Sequence, residues 1–177
     1  MIFLHLIISQ LIIWELMATK RNGPEDPESQ PTPFPPSMRD RTTFLLYRAG
    51  ELSHALANAM LAPLGLNARQ VGILTLIIEQ EPMTQKALAD LLRIDRTTMV
   101  ALIDELEEKG YAIRQRHPRD RRAFLIQPTD AGRKVKIDAI KVLDEQKRRF
   151  LKPLNSTQQT QLLVLLKLLQ QPPRDRQ

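Results

Sequence analysis

Five arginines (Arg114, Arg116, Arg119, Arg121 and Arg122) fall between Tyr111 and Ala123 against a single acid, Asp120. Guanidinium groups this dense on a short segment suit one chemistry, the binding of phosphate and of an electronegative nucleic-acid groove. Asp120, inside the cluster, can take a neighbouring guanidinium in a bidentate pair and set its direction. Upstream, Arg96, Thr97 and Thr98 open an amphipathic segment. Hydroxyl or basic groups at such a position can reach phosphates and base edges. Thr84, Gln85 and Arg93 flank the same region, and Ala101 can touch a thymine methyl. The competing readings are a helical hairpin with a solvated face and a basic strand edge that discourages sheet pairing. An arginine cluster that directly follows a pair of short helices favours the nucleic-acid reading.

Other chemistries find little support. The 177-residue chain has no cysteine, which excludes a disulfide framework, a thiolate metal site and a thiol redox switch. His5, His54 and His117 are far apart and none has metal-ligand spacing. No glycine-rich phosphate loop or nucleophile elbow is present. Asp120 beside His117 lies on a turn with nothing to exclude water, which argues against acid–base catalysis. The expectation is therefore no enzyme, no metal and no cofactor. A formal charge of +6 favours an anionic partner. Only its concentration near residues 114–122 separates nucleic acid from a membrane surface.

The elements that must position these residues follow from periodicity and caps. Phe44, Leu45, Leu52, Leu56, Ala59 and Met60 predict a helix over 39–62 that Pro63 stops. Asn67 and Gln70 form a capping box for a helix to Gln80, with Leu66 and Val71 as its staple. Thr84 caps QKALADLL with Met83 and Leu88 as staple, and Asp95 caps a helix to Lys109 with Ile94 and Met99 as staple. Gly110 closes it. The helices 85–92 and 95–109 have helix-turn-helix spacing. Met99, Leu102, Ile103 and Leu106 form the inward stripe of the second; Asp104, Glu105 and Glu108 would repel phosphate, so only its N-terminal half can enter a groove. YAIRQR and RAFLIQ around HPRD predict a two-stranded hairpin over 111–127. Helices over 130–151 and from Asn155 to about 170 complete a mainly α chain with a small β-hairpin wing. The last helix is apolar nearly all round: Leu162, Leu165, Leu166 and Leu169 form one stripe, and Leu163, Val164 and Leu168 fill the rest. Such a helix needs cover on more than one side, which a partner subunit would supply.

Residues 1–17 are strongly apolar but are interrupted by His5, Gln10 and Glu15, and no Lys or Arg precedes Lys20. A cleaved secretory signal is a poor fit. A membrane anchor with Lys20 and Arg21 on the cytoplasmic side stays open. The preferred reading is an upstream-extended reading frame, with Met17 or Met38 as the natural start. Residues 22–37, rich in proline and acids, read as a disordered tail.

The stretch LADLLRIDRTTMVALIDELEEKGYAIRQRHPRDRRAFLIQPTDAG resembles the MarR family of bacterial regulators. The helix end Leu106–Gly110, the Asp120-Arg121-Arg122 wing and the Thr129–Gly132 helix start carry the likeness, and the helix order from 39 to 170 agrees. The resemblance implies a winged helix-turn-helix lobe over 67–128, and dimerisation helices over 39–66 and 129–171, with Leu45 and Leu52 beside the last-helix leucines. It further implies a homodimer on a pseudo-palindromic double-stranded DNA operator, and a cytoplasmic repressor released by a small aromatic or phenolic effector. Tyr47, Arg48 and His54 are candidate effector contacts. The alternative is a winged-helix protein-interaction module without operator binding. Two departures stand out: Val100 and Ala101 replace a frequent polar or basic pair, and His117 replaces the usual acid before proline.

Overall fold

The computed structural model describes residues 34–80, 82–120 and 123–171. The expectations for the apolar segment 1–17 and for residues 22–33 of the disordered tail lie outside these residues. Residues 34–37, assigned to the same tail, are instead ordered, with Phe34 packed on Phe44 and Pro36 and Ser37 opening a helix. Contacts divide the chain into two units, Met1–Leu45 and Leu46–Gln177. In the first, a one-turn helix α1 (Pro36–Arg39) precedes α2 (Thr42–Leu61), which continues into the second unit. The single helix expected over 39–62 is thus broken at Asp40–Arg41. The Phe34 and Phe44 rings meet edge to face with centroids 5.0 Å apart, and Arg41 Nε donates to the Ser37 carbonyl at 3.0 Å.

In the second unit, α2 ends at Leu61, just before Pro63 as expected, and passes into a 3₁₀ turn (Ala62–Leu64). Gly65 follows at φ 66°, the left-handed conformation that glycine adopts without a Cβ clash. The helices α3 (Ala68–Glu79), α4 (Gln85–Leu92) and α5 (Arg96–Glu108) begin at the expected caps. Asn67 Oδ1 accepts from the Gln70 N–H at 2.9 Å, and Gln70 Oε1 accepts from the Asn67 N–H at 3.0 Å. Thr84 and Asp95 each accept the N–H three residues on. A fourth cap, Thr129, starts α6 (Asp130–Phe150); Asn155 and Gln158 form a second capping box for α7 (Ser156–Leu169).

The expected two-stranded hairpin is a three-stranded antiparallel sheet. β2 (Ala112–Arg116) pairs with β3 (Phe124–Pro128), and β3 also pairs with β1, the dipeptide Met83–Thr84, in the order β1-β3-β2. Two residues carry no period-2 pattern, so β1 has no local signature. The same dipeptide that caps α4 thereby ties the helix pair to the wing.

One core organises the second unit. Leu61, Leu66, Val71, Ile73, Leu74 and Ile77 meet Leu88, Met99, Ile103 and Leu106, with Ala112 and Ile126 from the sheet and Ala139 from α6. Each buried leucine or isoleucine is worth about 1.5–3 kcal/mol of apolar transfer. The buried stripe of α5 is the one its sequence spacing assigns. Among the described residues, no single helix is long and apolar enough to cross a membrane.

Candidate nucleic-acid interface

Burying one side of α5 leaves the other in solvent. Arg96, Thr97, Val100 and Ala101 are exposed, while Met99, Leu102, Ile103 and Leu106 are buried. Thr98 is half-buried, and its hydroxyl and N–H both bond Asp95, holding that carboxyl below its ordinary value of 3.8. The Thr98 hydroxyl is therefore engaged in the cap, and Thr97 is the more accessible of the pair. Thr84 likewise spends its hydroxyl oxygen on the Ala87 N–H, and Gln85 beside it is half-buried.

The turn joining α4 to α5 is made by Arg93, which stands at φ 51°, ψ 43° and donates its N–H to the Ala89 and Asp90 carbonyls. It is the one non-glycine residue at positive φ among the described residues. Holding a branched-out side chain there costs roughly 1 kcal/mol or more, a cost that glycine would avoid.

The wing tip closes through main-chain bonds from His117 N–H to the Ala123 carbonyl (3.1 Å) and from Ala123 N–H to the Asp120 carbonyl (3.0 Å). His117 Nδ1 accepts the N–H groups of Arg119 (3.2 Å) and Asp120 (3.0 Å). A histidine thus does here what an Asp or Asn side chain does in an Asx turn. Arg116, Arg119 and Asp120 are exposed. Arg121 and Arg122 lie outside the described residues, and with them the expected pairing of Asp120 to a neighbouring guanidinium.

Arg114 departs from expectation. It does not project with the tip: its guanidinium is paired with Asp104 (2.6 Å) and Glu107 of α5, and its side chain is 21% exposed. The physical reason lies in strand alternation. Ala112 is buried, so Arg114, two residues on, shares its face and turns toward α5. Two of the three acids expected to repel phosphate, Asp104 and Glu105, are similarly occupied. Glu105 accepts from Gln70 Nε2 at 2.7 Å and pairs with Lys109 at 3.9 Å.

A cavity of about 450 Å³ adjoins the α4–α5 turn, lined by Glu51 and His54 of α2, Ala68, Arg69 and Gly72 of α3, and Leu92, Arg93 and Ile94. Of the three expected effector residues His54 lines it, whereas Tyr47 and Arg48 do not. Arg69 escaped the sequence reading. Its one signal is a cation in the first turn of α3, where the helix dipole favours an acid. Among the described residues, no group of three or more His, Asp or Glu could hold a metal.

The expected dimer residues are on the surface: Leu45 and Leu52 of α2 and Leu165 and Leu169 of α7 are exposed, and Leu162 and Leu166 half-buried. No residue of α7 is fully buried.

A buried-stripe helix after a tight turn, followed by a sheet with a basic tip, defines a winged helix-turn-helix protein of the DNA-binding class. A family model for the MarR family matches residues 64–123. A MarR-family transcriptional regulator from Rhodococcus sp. RHA1 is 33% identical, with 75% of this chain and 94% of that one covered at a TM-score of 0.69. CouR from Rhodococcus jostii RHA1, in a structure bound to p-coumaroyl-CoA, is 30% identical over 79% of this chain and 99% of that one, TM-score 0.67. The repressor CouR bound to a 23-mer DNA duplex is 27% identical over 77% and 96%, with a TM-score of 0.71. The chain belongs to the MarR family and is a DNA-binding transcriptional regulator of that type.

Proposed function

We propose that the protein binds a pseudo-palindromic double-stranded operator as a homodimer, represses transcription in the cytoplasm, and leaves DNA when a small aromatic or phenolic anion binds. The observation that carries the DNA contact is the joint exposure of Arg96, Thr97 and Ala101 on α5 and of Arg116 and Arg119 on the wing. In this reading Thr97 and Ala101 meet base edges, and Thr98 contributes the oxygen left after capping. Thr84, Gln85, Arg93 and Arg96 meet phosphate, and Arg116, Arg119, Arg121 and Arg122 follow the adjacent minor groove, with Asp120 orienting one of them. CouR in complex with a DNA duplex supports this placement by similarity.

The lobe over 67–128 would be carried by the helices of 39–66 and 129–171, with Leu45, Leu52, Leu162, Leu165, Leu166 and Leu169 against the partner subunit. The effector part rests on the cavity. Arg69 and Arg93 offer two positive charges against the single acid Glu51, His54 a ring nitrogen, and Leu92 and Ile94 an apolar wall, which suits an anion with a flat apolar body. Tyr47 and Arg48 would contribute only from outside that lining. The relative bound to p-coumaroyl-CoA supports an acidic aromatic class of effector.

Selection of random-sequence duplex DNA by the full chain, beside its Arg121→Ala variant, tests the reading. A two-fold symmetric motif, lost in the variant, is expected. A folded dimer that enriches no motif would instead favour the protein-interaction module.

A further inference from the structure

Arg114 is bound to the recognition helix through its main-chain N–H and both terminal guanidinium nitrogens. Its Nη1 bridges Asp104 and Glu107, one helical turn apart on α5, and Nη2 faces the Val100 carbonyl at 3.5 Å. Its main-chain N–H donates to Glu107 Oε1 at 2.6 Å. In the sheet order β1-β3-β2, the N–H of Arg114 lies on the edge of β2 away from β3. One carboxylate therefore covers an open strand edge and holds the side chain of the same residue.

We infer that Arg114 is a positioning residue for operator binding: with Asp104 and Glu107 it clamps the wing to α5 and fixes the distance between the two DNA-reading elements, and it makes no DNA contact itself. Three observations converge. The guanidinium is mostly covered, unlike those of Arg116 and Arg119. Its charge is matched by two carboxylates, leaving little to attract a phosphate. The pairing also offsets one of the two negative charges of the α5 acids nearest the wing, which would otherwise repel the backbone between the two reading elements more strongly. A rigid spacing matters because the recognition helix and the wing must each find their groove on one duplex without reorganising. The inference rests on the operator reading above, and its test separates the two.

Binding of the selected duplex and of a scrambled duplex of equal composition is measured at several salt concentrations for wild type, Arg114→Gln, Glu107→Gln, their double variant and Arg119→Ala. Thermal unfolding serves as the folding control. Arg114→Gln and Glu107→Gln should each lower operator affinity about tenfold, as expected for a lost charge-assisted hydrogen bond. The double variant should be no worse than either, and the salt slope should not change. Amide exchange at residues 112–116 of the free protein should accelerate in both single variants. Arg119→Ala should flatten the salt slope by up to about 1.8, about 0.9 for each of the two subunits on one operator.

A rise in affinity for Glu107→Gln would overturn the inference, because it would mean that the carboxylate restrains a DNA-contacting arginine. A flattened salt slope for Arg114→Gln would overturn it equally, as would unchanged affinity in that variant. Were Arg114→Gln to unfold, Glu107→Gln with its exchange readout would still decide. If Arg119→Ala also binds like wild type, the operator reading of the wing fails and not only the role of Arg114.

Discussion

The arginines of the wing are chemically alike and do different work, because only one of them is placed against carboxylates: Arg114 and Arg116 share a face of β2, but Asp104 and Glu107 of α5 reach Arg114. Arg114 is turned into a pocket of carboxylates; Arg116 and Arg119 stay in water. Arg119→Ala is therefore expected to weaken DNA binding and reduce the salt slope, read by titration at two ionic strengths. The second informative residue is Asp95. Its carboxyl is held below 3.8 chiefly by the Thr98 hydroxyl and then by the Thr98 N–H. A folded value below the unfolded one means the stabilisation is complete above the ordinary value and is lost as pH falls through the lowered one. Asp95→Asn keeps a good cap and cannot titrate. Its urea unfolding should match wild type near neutral pH and lose less stability than wild type on acidification. Glu145, held low by Arg149 and Arg148, contributes to both proteins and cancels in the comparison. An acid limb unchanged in Asp95→Asn would refute the assignment.

At the scale of elements, the joints that seat α6 and α3 are the most exacting. The Thr129 hydroxyl donates to the Gly110 carbonyl at 2.6 Å and accepts the Gly132 N–H at 3.0 Å, while the Thr129 N–H bonds the Tyr111 carbonyl at 3.1 Å. A Cβ on Gly132 would stand 2.0 Å from the Tyr111 carbonyl oxygen. That atom is backbone and cannot swing aside. Gly132→Ala is expected to destabilise by about 1–3 kcal/mol through overpacking, read as a lowered denaturation midpoint. An unchanged midpoint would show that α6 can slide. Gln70, buried in the first turn of α3, closes the Asn67 cap and holds Glu105 of α5. Asn67→Ala removes half of that box and should cost about 1 kcal/mol. The three-helix order and its caps were legible because capping is chemistry among residues three apart. β1 was not legible, since Met83–Thr84 becomes a strand only by pairing with Ile126 and Leu125 some forty residues away.

For the whole molecule, the telling feature is the apolar surface left on α7. Leu163, Val164, Leu165, Leu168 and Leu169 are all more than half exposed in the single chain. A monomer rarely keeps such a patch in water. Leu165→Asp is expected to sediment at half the wild-type mass and to lose operator affinity, because two lobes then no longer bind one duplex together. A variant that stays dimeric would move the interface elsewhere. Buried Gln146, whose Nε2 donates to the Ser53 carbonyl and hydroxyl at 3.2 Å, pins α6 to α2 and keeps both long helices in one frame.

Residue types and short spacings determined by themselves the helix starts, the inward stripe of α5, the basic wing and the absence of thiol chemistry. Each depends on neighbours within one or two turns of chain, where geometry is nearly independent of the rest. The tertiary structure alone decided which arginine is withdrawn from the surface, that a third strand joins the sheet, and that Arg69 and Arg93 share a cavity with His54. Those outcomes bring together groups far apart in sequence. The partner of a charge is set by where the core places two elements, and no local pattern encodes that distance.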